Sequence, residues 1–195
     1  MTTTLQETSL VVRNLSTPAV FPTQDTPYSQ LLEYIAQHDV AKAIFLQYSG
    51  QACDGVLEAV LKKPGAKAVV YLQDEKTAET IGSKFQSTRI IISVNNLRKW
   101  RIKYDGFSEI TVHKCTMPMS VRAIMLDDRL LCMGWYTYER EYGHDAEHPD
   151  DTVAVSGHDI ATVISRKGTG DFDALNGTFT MLVKNYERAS RPVRL

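Results

Sequence analysis

Short apolar runs alternate with amphipathic stretches through the middle of this chain. Lys42-Ala-Ile-Phe-Leu-Gln-Tyr48 is apolar along most of its length and stops at Ser49-Gly50, as a strand buried on both faces does. Asp54 then stands at a helix-cap position ahead of Val56, Leu57, Val60 and Leu61, which fall on one helical stripe, and Pro64-Gly65 closes the element. Lys67-Ala-Val-Val-Tyr-Leu72 repeats the buried-strand pattern. Strand, helix and strand within about thirty residues predict a crossover unit with parallel pairing.

The flanks extend this order. Residues 1–26 are rich in Thr, Ser and Pro and read as an N-terminal arm carrying one edge strand, Ser9-Leu-Val-Val-Arg13. A helix follows, with Thr26 as its N-cap, Pro27 at the first helical position, and Leu31, Leu32 and Ile35 on its apolar face. Ala78, Ile81 and Phe85 predict a further helix, Arg89-Ile-Ile-Ile-Ser93 a third strand and Ile110-Thr-Val-His113 a fourth. Ser120 to Glu139 reads as a hairpin turning at Asp127-Asp128-Arg129, Glu139 to Asp151 as a polar loop, and Thr152–Ser156 as a last strand. The clearest helix is C-terminal: Phe172, Leu175, Phe179, Leu182 and Tyr186 recur at alternating spacings of three and four. The expected fold is α/β, a mixed and mostly parallel sheet flanked by helices, with the domain over 27–190 and a tail at 191–195.

Composition narrows the function only slightly. A chain of 195 residues, 43% hydrophobic and 23% charged, has the make-up of a single globular domain. A formal net charge of -1 provides no global attraction to nucleic acid or an anionic membrane. Cys53, Cys115 and Cys132 are odd in number and share no metal-type spacing. No stretch approaches the eighteen or so apolar residues of a membrane span, and the first residues lack a secretory pattern, which points to cytoplasmic residence.

The hairpin carries the most specific signal. Ser120, Arg122, Asp127 and Gly134 fall at the spacing H-x-K-x4-D followed seven residues later by G-S-x-N. This resembles the signature of the phospholipase D-like superfamily, and the order of elements is similar to one half of that fold over roughly residues 30–190. The resemblance implies a site built from two such halves, in which a His attacks phosphorus and Lys and Asn hold the nonbridging oxygens. Here Ser120 stands for the His, Arg122 for the Lys, Trp135 for the Ser and Thr137 for the Asn. A serine needs a neighbouring base to act as nucleophile, and none is evident. Arg122 and Thr137 remain candidate phosphate or ligand contacts, because a guanidinium suits phosphate geometry. Strand alternation places Ser120 and Arg122 on one face, and Trp135 is expected to fill the pocket floor.

Other clusters leave further readings open. His113-Lys114 has the wrong spacing for a displaced nucleophile. His144 and His148 lie among four carboxylates between Gly143 and Asp151, weak metal candidates because Gly143 and Pro149 oppose the helix that would align them. Residues 84–114 hold seven Lys or Arg against two acids, including Arg98, Lys99, Trp100, Arg101 and Lys103, a pattern compatible with nucleic-acid contact. With the acidic segment 139–151 opposing it, a surface with local excesses of both signs fits protein contact equally well.

The leading expectation is a catalytically degenerate phospholipase D-like domain acting as a binding or assembly module without a cofactor. It would pair through its vacated face as a homodimer or with a partner domain. A divergent phosphodiesterase or nuclease acting as a homodimer, and a nucleic-acid-binding protein using the basic 84–104 segment, are the alternatives.

Overall fold

The computed structural model describes residues 19–21, 25–50, 53–81, 84–141, 152–156 and 161–195. The elements are β1 (Ala19–Phe21), α1 (Asp25–Gln37), β2 (Lys42–Gln47), α2 (Asp54–Leu61), β3 (Lys67–Gln73), α3 (Glu75–Ile81), α4 (Lys84–Lys103), β4 (Glu109–Cys115), β5 (Val121–Leu126), β6 (Leu130–Trp135), β7 (Thr137–Glu141), β8 (Thr152–Ser156), β9 (Thr162–Arg166), α5 (Phe172–Arg188) and β10 (Ser190–Val193).

Eight strands form one sheet in the order β1-β9-β6-β5-β2-β3-β4-β10, and β7 and β8 pair separately. The crossover unit is present: β2 and β3 are parallel, as are β3 and β4. Every other neighbouring pair is antiparallel, which corrects the expected parallel majority to an α/β fold with a mostly antiparallel mixed sheet. The cause lies in the outer strands. The β5–β6 hairpin joins β2 antiparallel, β9 and β1 continue that pattern on one side, and β10 returns along β4 on the other.

A second correction concerns Arg89–Ser93, which lies inside the helix α4 rather than in a strand. Ile90, Val94 and Leu97 are buried at helical spacing, whereas Ile91 and Ile92 are exposed, so only one side of the isoleucine run meets the core. Phe85, placed on a helical apolar face by sequence, is exposed. Smaller shifts follow the same local logic. Helix α1 begins at Asp25, which puts Thr26 and Pro27 within its first turn, and the N-cap of α2 is Cys53 rather than Asp54. Glu139 to Glu141 belong to β7, not to a loop, while β9 and β10 were not anticipated. The candidate strand Ser9–Arg13 lies outside the described residues.

Both faces of the sheet are covered. Helices α1, α2 and α4 pack Leu31, Leu57 and Leu97 onto Phe45, Val70 and Ile124. On the opposite face, α5 sets Phe172, Phe179 and Tyr186 against Leu46, Met125 and Leu131. Central strands must therefore be apolar on both sides, and β5 is buried at every residue. No described helix is long and apolar enough to cross a membrane.

Candidate functional site

The β5–β6 hairpin positions the motif residues. Its turn has Asp127 at φ 50° and Asp128 at φ 53°, and the Arg129 amide donates to the Leu126 carbonyl at 2.9 Å. Two successive left-handed residues make the primed turn whose twist suits a hairpin, here with Asp in place of the usual Gly. The Asp127 carboxylate accepts from the backbone amides of Ala41 (2.9 Å) and Lys42 (2.7 Å), so the motif aspartate fastens the turn to the start of β2.

Arg122 pairs across the hairpin with Gly134. Its side chain is only 2% exposed. Nη1 donates to the Trp135 carbonyl at 2.8 Å, and Nη2 donates to the Thr162 hydroxyl at 2.7 Å. Tyr28 of α1, Gln47 of β2 and Cys132 of β6 line the remaining space, which is too narrow to admit the centre of a water molecule. Among the described residues, the Tyr28 hydroxyl and Gln47 Nε2 are buried without a hydrogen-bond partner. Burial, reinforced by Cys53, Cys132 and Tyr136, holds the Tyr28 phenol well above its ordinary pKa. The Cys132 thiol is pushed up to about 12 by burial, and all three cysteines are buried and free.

Ser120 lies just before β5 and is exposed, and its carbonyl accepts from the Tyr136 amide at 2.9 Å. It hydrogen-bonds Tyr186 of α5, whereas Arg122 turns toward α1 on the other side of the sheet. Burial raises the Tyr186 pKa, leaving a neutral phenol where a nucleophilic serine would need a base. The expected shared face of Ser120 and Arg122 is therefore corrected.

So is the expected plug. Trp135 pairs with Val121, one residue beyond Gly134, so it points away from Arg122, and it is 41% exposed. Thr137 opens β7 in the separate two-stranded sheet, opposite Ser156. The hydroxyl that reaches Arg122 from β9 belongs to Thr162, which had no sequence signal beyond an apolar neighbourhood.

The basic segment 84–104 forms most of α4. Trp100 and Tyr104 pack partly buried against the core, Lys103 is held by Glu58 at 2.8 Å, and Arg98 donates to Asn95 at 2.9 Å. Arg98, Lys99 and Arg101 remain exposed, but the aromatics beside them are not open platforms for base stacking. His113 stacks on Tyr71, with ring centroids 5.0 Å apart, and burial lowers its pKa against a smaller opposing effect of Glu187. His144 and His148 lie outside the described residues. Among the described residues, no three His, Cys, Asp or Glu side chains gather as metal ligands.

One buried polar residue and one half-buried carboxyl carry roles that the sequence reading did not assign. Gln73 is fully buried; its Nε2 donates to the carbonyls of Cys115 (2.7 Å) and Met117 (3.2 Å), and its Oε1 accepts from the Met119 amide at 2.8 Å. This clamp sets the segment that leads into Ser120. The Asp54 carboxyl, noted only as a helix cap, is pushed up to about 6 by burial, against the lowering effect of a hydrogen bond from Asn96. Compared with family models and with curated proteins, the chain matches none.

Proposed function

We propose that this chain is a phospholipase D-like half-domain that has given up catalysis and acts as a binding or assembly module. The burial of Arg122 carries this reading. A cation at the family's phosphate-binding lysine position is 2% exposed and donates to the Trp135 carbonyl and Thr162, so it serves the interior rather than a substrate. Ser120 supports the same conclusion, since its partner Tyr186 is a phenol of raised pKa and not a base. The family part of the reading rests on the hairpin spacing and on the order of crossover unit, hairpin and terminal helix.

Pairing is expected at the Ser120 end of the hairpin, as a homodimer or with a partner domain. Trp135 and Tyr138 are 41% and 38% exposed there, and exposed aromatics are frequent interface anchors. Light scattering at micromolar concentration should give a dimer mass that Trp135→Ala reduces to the monomer. A monomer mass for the unmodified chain, with no partner present, overturns homodimer pairing. Hydrolysis of bis(p-nitrophenyl) phosphate that disappears in Ser120→Ala would instead establish an enzyme.

A further inference from the structure

A second polar concavity lies at the opposite end of the hairpin from Ser120 and Trp135. Tyr34 and His38 at the end of α1, Arg129 of the turn, and Arg166 and Lys167 at the end of β9 line a space of about 270 Å³. The backbone brings the three cations together: Leu130 pairs with Arg166, and the Lys167 amide donates to the Arg129 carbonyl at 2.8 Å. Among the described residues, none of these three side chains makes an ion pair or a hydrogen bond.

The nearby acids are engaged elsewhere. Asp127 accepts from the Ala41 and Lys42 amides, and Asp128 faces the Lys42 ammonium at 3.9 Å. His38 stacks on Tyr34 with centroids 4.1 Å apart, and its Nδ1–H donates to the Tyr34 carbonyl at 2.9 Å. A carbonyl can only accept, so Nε2 is the free nitrogen of a ring that lines the concavity. Three cations held together by backbone geometry repel one another until an anion joins them.

We propose that this concavity binds a small oxyanion, the phosphoryl group of inorganic phosphate or of a small phosphomonoester. Arg129 and Arg166 supply forked donors matched to phosphate oxygens and Lys167 completes the donor shell, while His38 Nε2, an acceptor in the neutral ring, can meet only a P–OH of the ligand. The concavity is open to solvent, so a phosphoryl group can sit on the cations while the rest of an ester stays outside. This inference does not rest on the proposed loss of catalysis at Ser120.

Calorimetric titration of the full chain at low ionic strength, with inorganic phosphate and separately with glycerol 3-phosphate, tests it. One saturable site is expected, weakened about tenfold by Arg129→Ala and by Arg166→Ala but unchanged by Lys76→Ala on another surface. Tighter binding of the ester assigns a phosphomonoester, and equal or tighter binding of phosphate assigns the free ion. If an arginine variant fails to fold, Lys167→Ala on the exposed rim gives the same readout. No saturable binding of either probe at about 10 mM, or binding indifferent to all three substitutions, overturns the proposal. A loss of melting temperature in the variants without anion binding by the parent chain also overturns it, showing that the cations only complement the α1 C-terminus.

Discussion

The guanidinium of Arg122 occupies the place where a side chain on Gly134 would begin. A Cβ at Gly134 would stand 2.9 Å from Arg122 Cζ, Nε and Nη2. The motif glycine is thus the cross-strand partner that lets a large cation lie flat in the sheet interior. Gly134→Ala should displace that cation from Thr162 and the Trp135 carbonyl and cost about 1–3 kcal/mol of stability. Truncating the arginine removes the clash, so Gly134→Ala combined with Arg122→Ala should cost less than the sum of the single changes. Urea denaturation of all four proteins measures the coupling, and strict additivity would contradict the contact.

Introducing the residues of the phospholipase D-like pattern should not produce a phosphodiesterase. Ser120→His with Arg122→Lys is expected to be inactive on phosphodiesters, and adding Trp135→Ser should change nothing. Ser120 meets α5 while Arg122 meets α1, so the two new side chains would face opposite sides of the sheet. A reacting pair must approach to about 3–3.5 Å, which this arrangement prevents. Turnover in the double or triple variant, assayed on a folded sample, would show that the two positions converge.

Gln73→Leu should lower stability by about 3 kcal/mol. The substitution leaves the Met119 amide and the carbonyls of Cys115 and Met117 without the buried amide that now meets them. Denaturant midpoints measure the loss, and faster hydrogen exchange at the Met119 amide should report it locally. An unchanged midpoint would mean that solvent or another group takes over all three bonds.

Asp54 should make stability fall as pH rises. Burial holds its native carboxyl up to about 6, above the roughly 3.9 of an unfolded aspartate. Between those values the native state binds more protons than the unfolded one, so stability declines with pH and stays reduced above the window. Asp54→Asn should therefore match the parent near pH 4 and exceed it by about 1–2 kcal/mol at pH 7, a range discounted for partial solvent screening. Urea titrations at the two pH values measure this, and an equal difference at both would exclude Asp54 as the titrating group.

The crossover unit was legible because its signals are local. Ile44 to Leu46 and Val69 to Leu72 are apolar runs bounded by turn residues, and Val56, Leu57, Val60 and Leu61 share one helical stripe. The C-terminal helix was legible for the same reason, with Phe172, Phe179 and Tyr186 buried at the expected spacing. The isoleucine run at 90–92 misled because three adjacent β-branched residues favour a strand when read alone. The helical period extends past them, through Val94 and Leu97 to the partly buried Trp100 and Tyr104.

What the sequence determined by itself is the crossover unit, the C-terminal helix and the sharp turn at Asp127-Asp128, because periodicity and backbone preference act within a few residues. Strand direction and order were decided by tertiary structure: β9, β1 and β10 find their neighbours through long connections, and β10 pairs with β4 across the length of α5. The fate of the motif was decided there as well. Spacing placed Ser120, Arg122 and Gly134 in order along the chain, but burial, the α1 side chains and Thr162 from β9 determine that Arg122 faces inward. Linear spacing sets which residues share a strand; only packing on its two faces sets which of them solvent or a ligand can reach.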